Sequence, residues 1–424
     1  MDYGSRSFAD DDSALSYEDS PKMERKPLIL KHSMYTGYRA NGEVRQCSIM
    51  PGSTVRDLEI AATEDDIDIA ISLIDSDTAD TVVIRQFKPS RVWLWRQWYG
   101  TVFQYGLWYA LFYMWIGVML SLAMHYYGID KEDDNTITDM LSAVNSVWKY
   151  MLTITTFILT FFINQSYAVW QRVYSLARQV QGRTNDFGLL CAAHAKRKPC
   201  GKFAPESTKF LEEQAMCIRL FHTFCYASKT RRYKILHTKR ALERMVDRGM
   251  MTQEMLDALL LPDLSENMRP YIVLEWIMVR WTMEFKNKTL QGGFGLETLL
   301  LEKACLLRSI YGTFSDVVDA RMPLAYVHFV QVMVDLLLIS APFSLYSEMG
   351  PFCIAAVGIL ALFFEGLMIL SKVFLDPFDN EDYCDGVIQM NIGVYIRESN
   401  HGSTRFMKAA TYMPKGWCGK YEPK

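Results

Sequence analysis

Between Tyr150 and Gln171 the chain carries no charged residue, yet Thr153, Thr156, Thr160 and Asn164 recur at three- and four-residue intervals. On a helix that spacing aligns them on one face. Phe157 and Phe161 lie along the same stripe. A helix that only anchors a protein in lipid has no use for hydroxyls and an amide in a row. One reading is a helix–helix contact with threonine hydroxyls bonded to their own backbone. The other is the lining of a polar passage. Hydroxyl and amide groups can replace part of an anion's water shell, and phenyl edges carry the positive end of the ring quadrupole. One helix cannot enclose a passage, so the second reading needs symmetric copies.

A second group with chemistry follows the last apolar run. Asp376, Asp379, Glu381, Asp382 and Asp385 place five carboxyl groups within ten residues. Calcium takes six to eight oxygen ligands, and such a cluster could supply several. The glycine and distal glutamate of an EF-hand loop are absent. A solvated acidic cap at a membrane edge would look the same. His328, Asp335 and Glu365 sit inside long apolar runs, where ionisable groups mark either function or a protein-lined interior.

The rest of the chain offers little to an enzyme. There is no phosphate-binding glycine loop, no HExxH and no GxSxG. LQGGFG, with Gly292, Gly293 and Gly295, reads as a turn, because no strand precedes it. None of the nine cysteines forms a CxxC pair, so they read as reduced packing thiols and not as a zinc site. A net charge of −3 gives no reason to expect a nucleic-acid partner.

The elements that must position these groups are helices. Half the residues are hydrophobic, gathered in long uncharged runs separated by charge clusters. Gln97–Met124 exceeds the ~20 residues that cross a bilayer and forms span one. Lys88, Arg91 and Arg96 precede it and the acidic stretch Asp130–Asp139 follows, which puts the N-terminus in the cytosol. Tyr150–Gln171 is span two, bounded by Lys149 and Arg172. Span three runs from Pro323 to about Tyr346 and span four from Phe352 to Ser371, joined by a hairpin at Ser347–Pro351. Four crossings return the C-terminus to the cytosol. Between Arg172 and Arg248, 17 Lys and Arg face 6 Asp and Glu. The positive-inside rule accounts for that excess, and so would an electropositive vestibule that concentrates anions. Ile272–Phe285 and Glu297–Arg308 read as short helices of a cytosolic bundle.

The domain reading is therefore an acidic, loosely folded cytosolic extension over 1–80; spans one and two over 81–171; a basic cytosolic helical region over 172–322; spans three and four over 323–371; and an acidic C-terminal segment over 372–424. The acidic opening MDYGSRSFADDD lacks the apolar core of a secretory signal and the arginine richness of a transit peptide.

Four stretches resemble the bestrophin family of anion channels. FFINQSYAVWQRVYSL matches its Asn-Gln-Ala-Tyr-x-Arg-Trp-Trp string at Asn164, Gln165, Tyr167 and Trp170, with Val169 and Gln171 at the Arg and second Trp positions. Gly249, Met251, Thr252, Glu254 and Pro262 match a Gly-Phe-Met-Thr turn and the helix after it. Pro323, Leu324 and Tyr326 match the start of span three. LDPFDNEDYCD is similar to the family's Asn-Pro-Phe-Gly followed by acids, with Cys384 where an acid is usual.

The resemblance covers about residues 80 to 415. It implies an all-α membrane protein with four transmembrane helices, a cytosolic bundle and a bestrophin-type homopentameric assembly. It implies passive conduction of chloride and bicarbonate in contact with membrane lipid. The pore neck falls on Thr153, Phe157 and Phe161, with Thr160 and Asn164 as polar contacts. A cytoplasmic constriction falls among Leu296, Leu299 and Leu300. Calcium, held by Asp376, Asp379, Glu381, Asp382 and Asp385, is expected as a gating ion. The motifs sit closer to animal members, which favours the plasma membrane over the thylakoid. A proton-coupled secondary transporter and a non-conducting membrane scaffold are the alternatives.

Overall fold

The computed structural model describes residues 49, 51–75, 83–84, 89–97, 101–126, 135–261, 265–381 and 390–411. Among them there is no strand, only two isolated bridges, Ala195 with Leu290 and Arg197 with Phe203. The helices are α1 (Val55–Ala61), α2 (Glu64–Asp75), α3 (Arg91–Trp95), α4 (Val102–Tyr126), α5 (Asn135–His194), α6 (Pro205–Ala227), α7 (Lys239–Asp247), α8 (Gln253–Leu259), α9 (Arg269–Lys286), α10 (Gly293–Ala320), α11 (Leu324–Met349), α12 (Cys353–Leu375) and α13 (Ile392–Thr411).

By length and hydropathy three stretches could cross a bilayer: Phe103–Tyr126, Met140–His194 and Gly293–Leu375, the last containing α10, α11 and α12. The hairpin expected between spans three and four is a single 3₁₀ turn, Gly350–Phe352.

Two apolar cores organise the chain. In the first, Tyr113 of α4, Trp148, Leu159 and Phe162 of α5, Val334 and Leu338 of α11, and Val357 and Ala361 of α12 pack together. A Cβ at Gly358 would lie 2.5 Å from Met114 Sδ, so the glycine lets the Met114 side chain of α4 pack directly on α12. The second core joins the lower half of α5 to α6, α9, α10 and α13 around Phe187, Phe221, Trp281 and Tyr311. Trp281 is fully buried, edge-on to Phe187, and donates its indole N–H to Gln214 Oε1 at 3.1 Å.

Helix α5 belongs to both cores. Its 60 residues span about 90 Å at 1.5 Å per residue. The expected end of span two at Gln171 is thus not a helix end. What changes there is the packing: Phe162 contacts the membrane-type core, whereas Val173, Ala177 and Val180 contact the second. Likewise the short helix expected over Glu297–Arg308 is the middle of a 28-residue helix.

The loosely folded extension expected over 1–80 is also revised for 51–75. Thr54 and Asp57 form a reciprocal capping box that starts α1. Leu58, Ile67, Ile71 and Ile74 are fully buried in the second core. The outer faces of α1 and α2 carry Glu59, Glu64 and Asp68, which pair with Arg240, Arg244 and Arg248 on and after α7. Three of the cations behind the basic excess are neutralised here. Residues 1–48 lie outside the described residues.

Candidate functional site

The rear of α5 is fixed by burial. Leu159, Phe162, Ser166, Val173, Ala177 and Val180 recur at helical spacing and have almost no exposure. The opposite face is exposed among the described residues. Thr153, Phe157, Thr160, Phe161 and Asn164 all lie on it, as the spacing predicts. Phe157 is 64% exposed and Phe161 50%, large values for phenyl groups. Their rings meet edge to face at 4.7 Å.

The threonine hydroxyls do not point their protons into this space. Thr153, Thr156 and Thr160 donate to the carbonyls of Lys149, Leu152 and Thr156 at 3.1, 2.7 and 2.8 Å. They therefore present oxygen lone pairs, and not donors, to whatever lies outside. Asn164 makes no hydrogen bond within the described chain, which leaves its amide as a donor on the stripe.

The face continues past the expected end of span two. Ala168, Gln171, Arg172, Ser175, Gln179 and Gly182 are exposed in turn. Sequence alone made Arg172 the close of span two and the first cation of the basic region that follows. Eleven residues separate it from Phe161, close to three full turns, and that arithmetic was available without a structure.

The matched residues Tyr167 and Trp170 have a structural task. Their rings stack at 5.9 Å, Trp170 stacks on Tyr174 at 6.0 Å, and Phe374 of α12 closes the group. This clamps α12 to the flank of α5 and leaves the stripe clear.

The three leucines expected to form a cytoplasmic constriction separate. Leu296 is 5% exposed and Leu300 0%, both inside the second core, so neither can line an opening. Leu299 alone faces outward. The helical phase of α10 decides this: positions 296 and 300 share its inward face.

The acidic loop after α12 is bound by cations the chain already owns. Asp376 is 3% exposed and accepts the backbone N–H groups of Asn380 at 3.0 Å and Glu381 at 2.8 Å. Arg321, at the end of α10, lies 3.4 Å from both Asp376 Oδ1 and Glu381 Oε1. Arg231 reaches Asp379 at 3.5 Å. Asp379 has φ of +57° where the resembling family has glycine. A calcium ion would compete with Arg321 and the backbone for the oxygens of Asp376, and no group of three metal-ligating side chains gathers among the described residues. Asp382 and Asp385 lie outside the described residues.

Of the ionisable groups in the apolar runs, Asp335 accepts from Gln331 at 2.8 Å, and Gln331 accepts from Lys372 at 2.7 Å. Lys372 of α12 thus reaches Asp335 of α11 through Gln331. His328 is exposed and Glu365 is buried.

No protein-family model matches the chain, and no curated protein sequence matches it. Solved structures do. A bacterial bestrophin homologue from Klebsiella pneumoniae superposes with a TM-score of 0.55 at 11% identity, covering 71% of this chain and 99% of that one. A second structure of that homologue gives 0.53 at 12% identity, covering 72% and 98%. A crystal structure described only as a membrane protein gives 0.57 at 12% identity, covering 72% and 98%. The chain has a bestrophin-like fold. With its long apolar helices, that fold is the fold of an integral membrane protein.

Proposed function

We propose that the chain is a bestrophin-like anion channel that conducts chloride, and bicarbonate, down their gradients as a homopentamer. In this reading α4, the upper part of α5, α11 and α12 are the four crossings, both termini lie in the cytosol, and the membrane is the plasma membrane. Copies of α5 surround the axis, with Thr153, Phe157 and Phe161 as the neck.

The observation that carries the reading is the exposed stripe itself. A face with phenylalanines one turn apart, beside threonine and asparagine, is left bare while every other side of that helix segment is packed. Phenyl rings form a constriction that water and ions cross reluctantly, so they can gate by dewetting as well as narrow the passage. Their edges tolerate an anion without a fixed charge that would hold it too tightly to leave. Calcium is not part of this reading, because Arg321 and Arg231 occupy the described acids of the loop.

The test is current from the purified protein in planar bilayers under a chloride gradient. Wild type is expected to reverse at the chloride Nernst potential, and free calcium added to the cytosolic side is expected to leave the current unchanged. Phe157→Ala with Phe161→Ala should raise conductance several-fold by widening the dewetting constriction. Unaltered conductance and selectivity in the double variant would remove the neck assignment. The Asp335–Gln331–Lys372 chain is the specific observation in favour of a proton-coupled carrier. A reversal potential that moves with pH at fixed chloride would support that second reading over the first.

A further inference from the structure

The stripe on α5 is long, and one residue on it is unlike the rest. From Tyr150 to Ala177 the only charged residue is Arg172. It is exposed, it lies on the same side of the helix as Phe157, Phe161 and Asn164, and it forms no ion pair or hydrogen bond among the described residues. The next cations down the helix are both engaged. Arg178 is bound to Glu398 and Gln181, and Arg183 to Asp186 at 3.0 Å.

The other end of the stripe is treated differently. Lys149, one residue before the uncharged stretch, is paired with Glu348 of α11, and Asn145 binds the same carboxylate oxygen. The outer charge is cancelled within the chain and the inner charge is not. The stripe between them offers no other fixed charge of either sign.

We infer that Arg172 sets the anion preference of the passage. This rests on the channel reading above and adds the residue that gives that passage its sign. Phenyl edges, threonine oxygens and one amide do little to separate a chloride from a potassium ion of similar size. A guanidinium on each copy does, since rings of Arg or Lys select anions by attracting them and repelling cations. Its Cα stands about 16 Å below that of Phe161 along the helix axis. At that depth it acts as a mouth that concentrates anions before the constriction, with no direct contact on the neck. Its potential is felt over the Debye length, about 14 Å at 0.05 M salt and about 3 Å at 1 M. The effect is therefore ionic-strength dependent, as a chemical contact would not be.

A bland role is available to the same residue. An arginine at the end of a span can anchor the helix at the cytosolic interface and do nothing else. The two roles separate in the reversal potential. We would record currents from wild type, Arg172→Lys, Arg172→Gln and Arg172→Glu in planar bilayers under a potassium chloride gradient, at low and at high mean salt.

Wild type and Arg172→Lys should both be anion-selective. Arg172→Gln should lose on the order of tenfold in chloride over potassium permeability at low salt and much less at 1 M. Arg172→Glu should favour potassium. Channels of Arg172→Gln and Arg172→Glu that keep the wild-type reversal potential at both salts would overturn the assignment, even if fewer of them insert. An anchor alone would produce that pattern. Absence of anion current from wild type would instead overturn the channel reading on which the inference stands. Should Arg172→Gln fail to assemble, Arg172→Lys methylated on its amine keeps the charge, and acetylated loses it, in protein already folded.

Discussion

Single residues in this chain repeatedly take the role that burial dictates and not the one that residue type suggests. His222 and His237 are fully buried on and just after α6. Neither ring nitrogen of His222 has a hydrogen-bond partner among the described residues, and burial pushes its pKa down to about 3. His237 is held neutral as well, by burial and by Arg269, which donates to its Nδ1 at 3.1 Å, while Nε2 faces Ser228. Both therefore stay neutral in the fold but take up a proton near pH 6.5 when unfolded. The unfolded state binds more protons below that value, so stability is fully present above about pH 6.5 and falls as pH is lowered towards the folded pKa. From pH 7 to pH 5 each histidine should cost about 2 kcal/mol. The check is the Tm of detergent-solubilised protein over that range. His222→Leu should lose about half of the acid sensitivity and cost little at pH 7, because it leaves no polar atom unpaired. An unchanged pH slope in His222→Leu would contradict this account. The same rule explains what sequence could and could not read. The facing of Thr153, Phe157, Phe161 and Asn164 follows from spacing alone. The burial of Leu296 and Leu300 required the packing of α10, because leucines suit an aperture and a core equally well.

At the scale of elements, periodicity was legible and length was not. The apolar runs locate α4, α11 and α12 to within a few residues. They end α5 at Gln171, because hydropathy measures the solvent and a helix can leave lipid and continue into a protein core. The N-terminal helices failed in the opposite way. Glu64–Asp75 opens with three acids, and acids without a visible partner read as a solvated tail. Their partners, Arg240, Arg244 and Arg248, lie about 180 residues further on in the chain, beyond any local pattern. The element is nevertheless held by its apolar face more than by those charges. Partly exposed ion pairs contribute about 0–1 kcal/mol each, whereas a fully buried isoleucine truncated to alanine costs about 2–5 kcal/mol. Ile71→Ala should therefore release α2, seen as faster amide hydrogen exchange over 64–75 at any salt concentration. Glu64→Gln should leave exchange there nearly unchanged. A larger effect from Glu64→Gln than from Ile71→Ala would mean that charge holds the element.

For the molecule as a whole, the question is which surfaces lipid can cover. The outer face of α4 presents Trp108, Leu111, Phe112, Trp115 and Leu122, and that of α11 presents Phe329, Leu336 and Ile339, all apolar and suited to acyl chains. The bare face of α5 is not. Asn164, Gln171 and Arg172 would each lose hydration in lipid with no partner among the described residues to replace it. So one exposed helix face must meet water and the others must meet lipid, and a single copy cannot arrange that. Copies ringed with α5 inward can. The distinction is measurable by thiol chemistry. Asn164→Cys should react with a charged, membrane-impermeant methanethiosulfonate reagent in reconstituted vesicles, because the proposed channel places its side chain in a water-filled passage. Leu111→Cys, exposed to a similar degree in one copy, should not react, because thiolates do not form in hydrocarbon. The exposed native Cys200 and Cys305 set the background that wild type subtracts. Equal labelling at both engineered positions would mean that the α5 face has no water of its own, and the ring would have to be abandoned. Labelling at 164 alone would put water on the one face where neither lipid nor protein is chemically suited to lie.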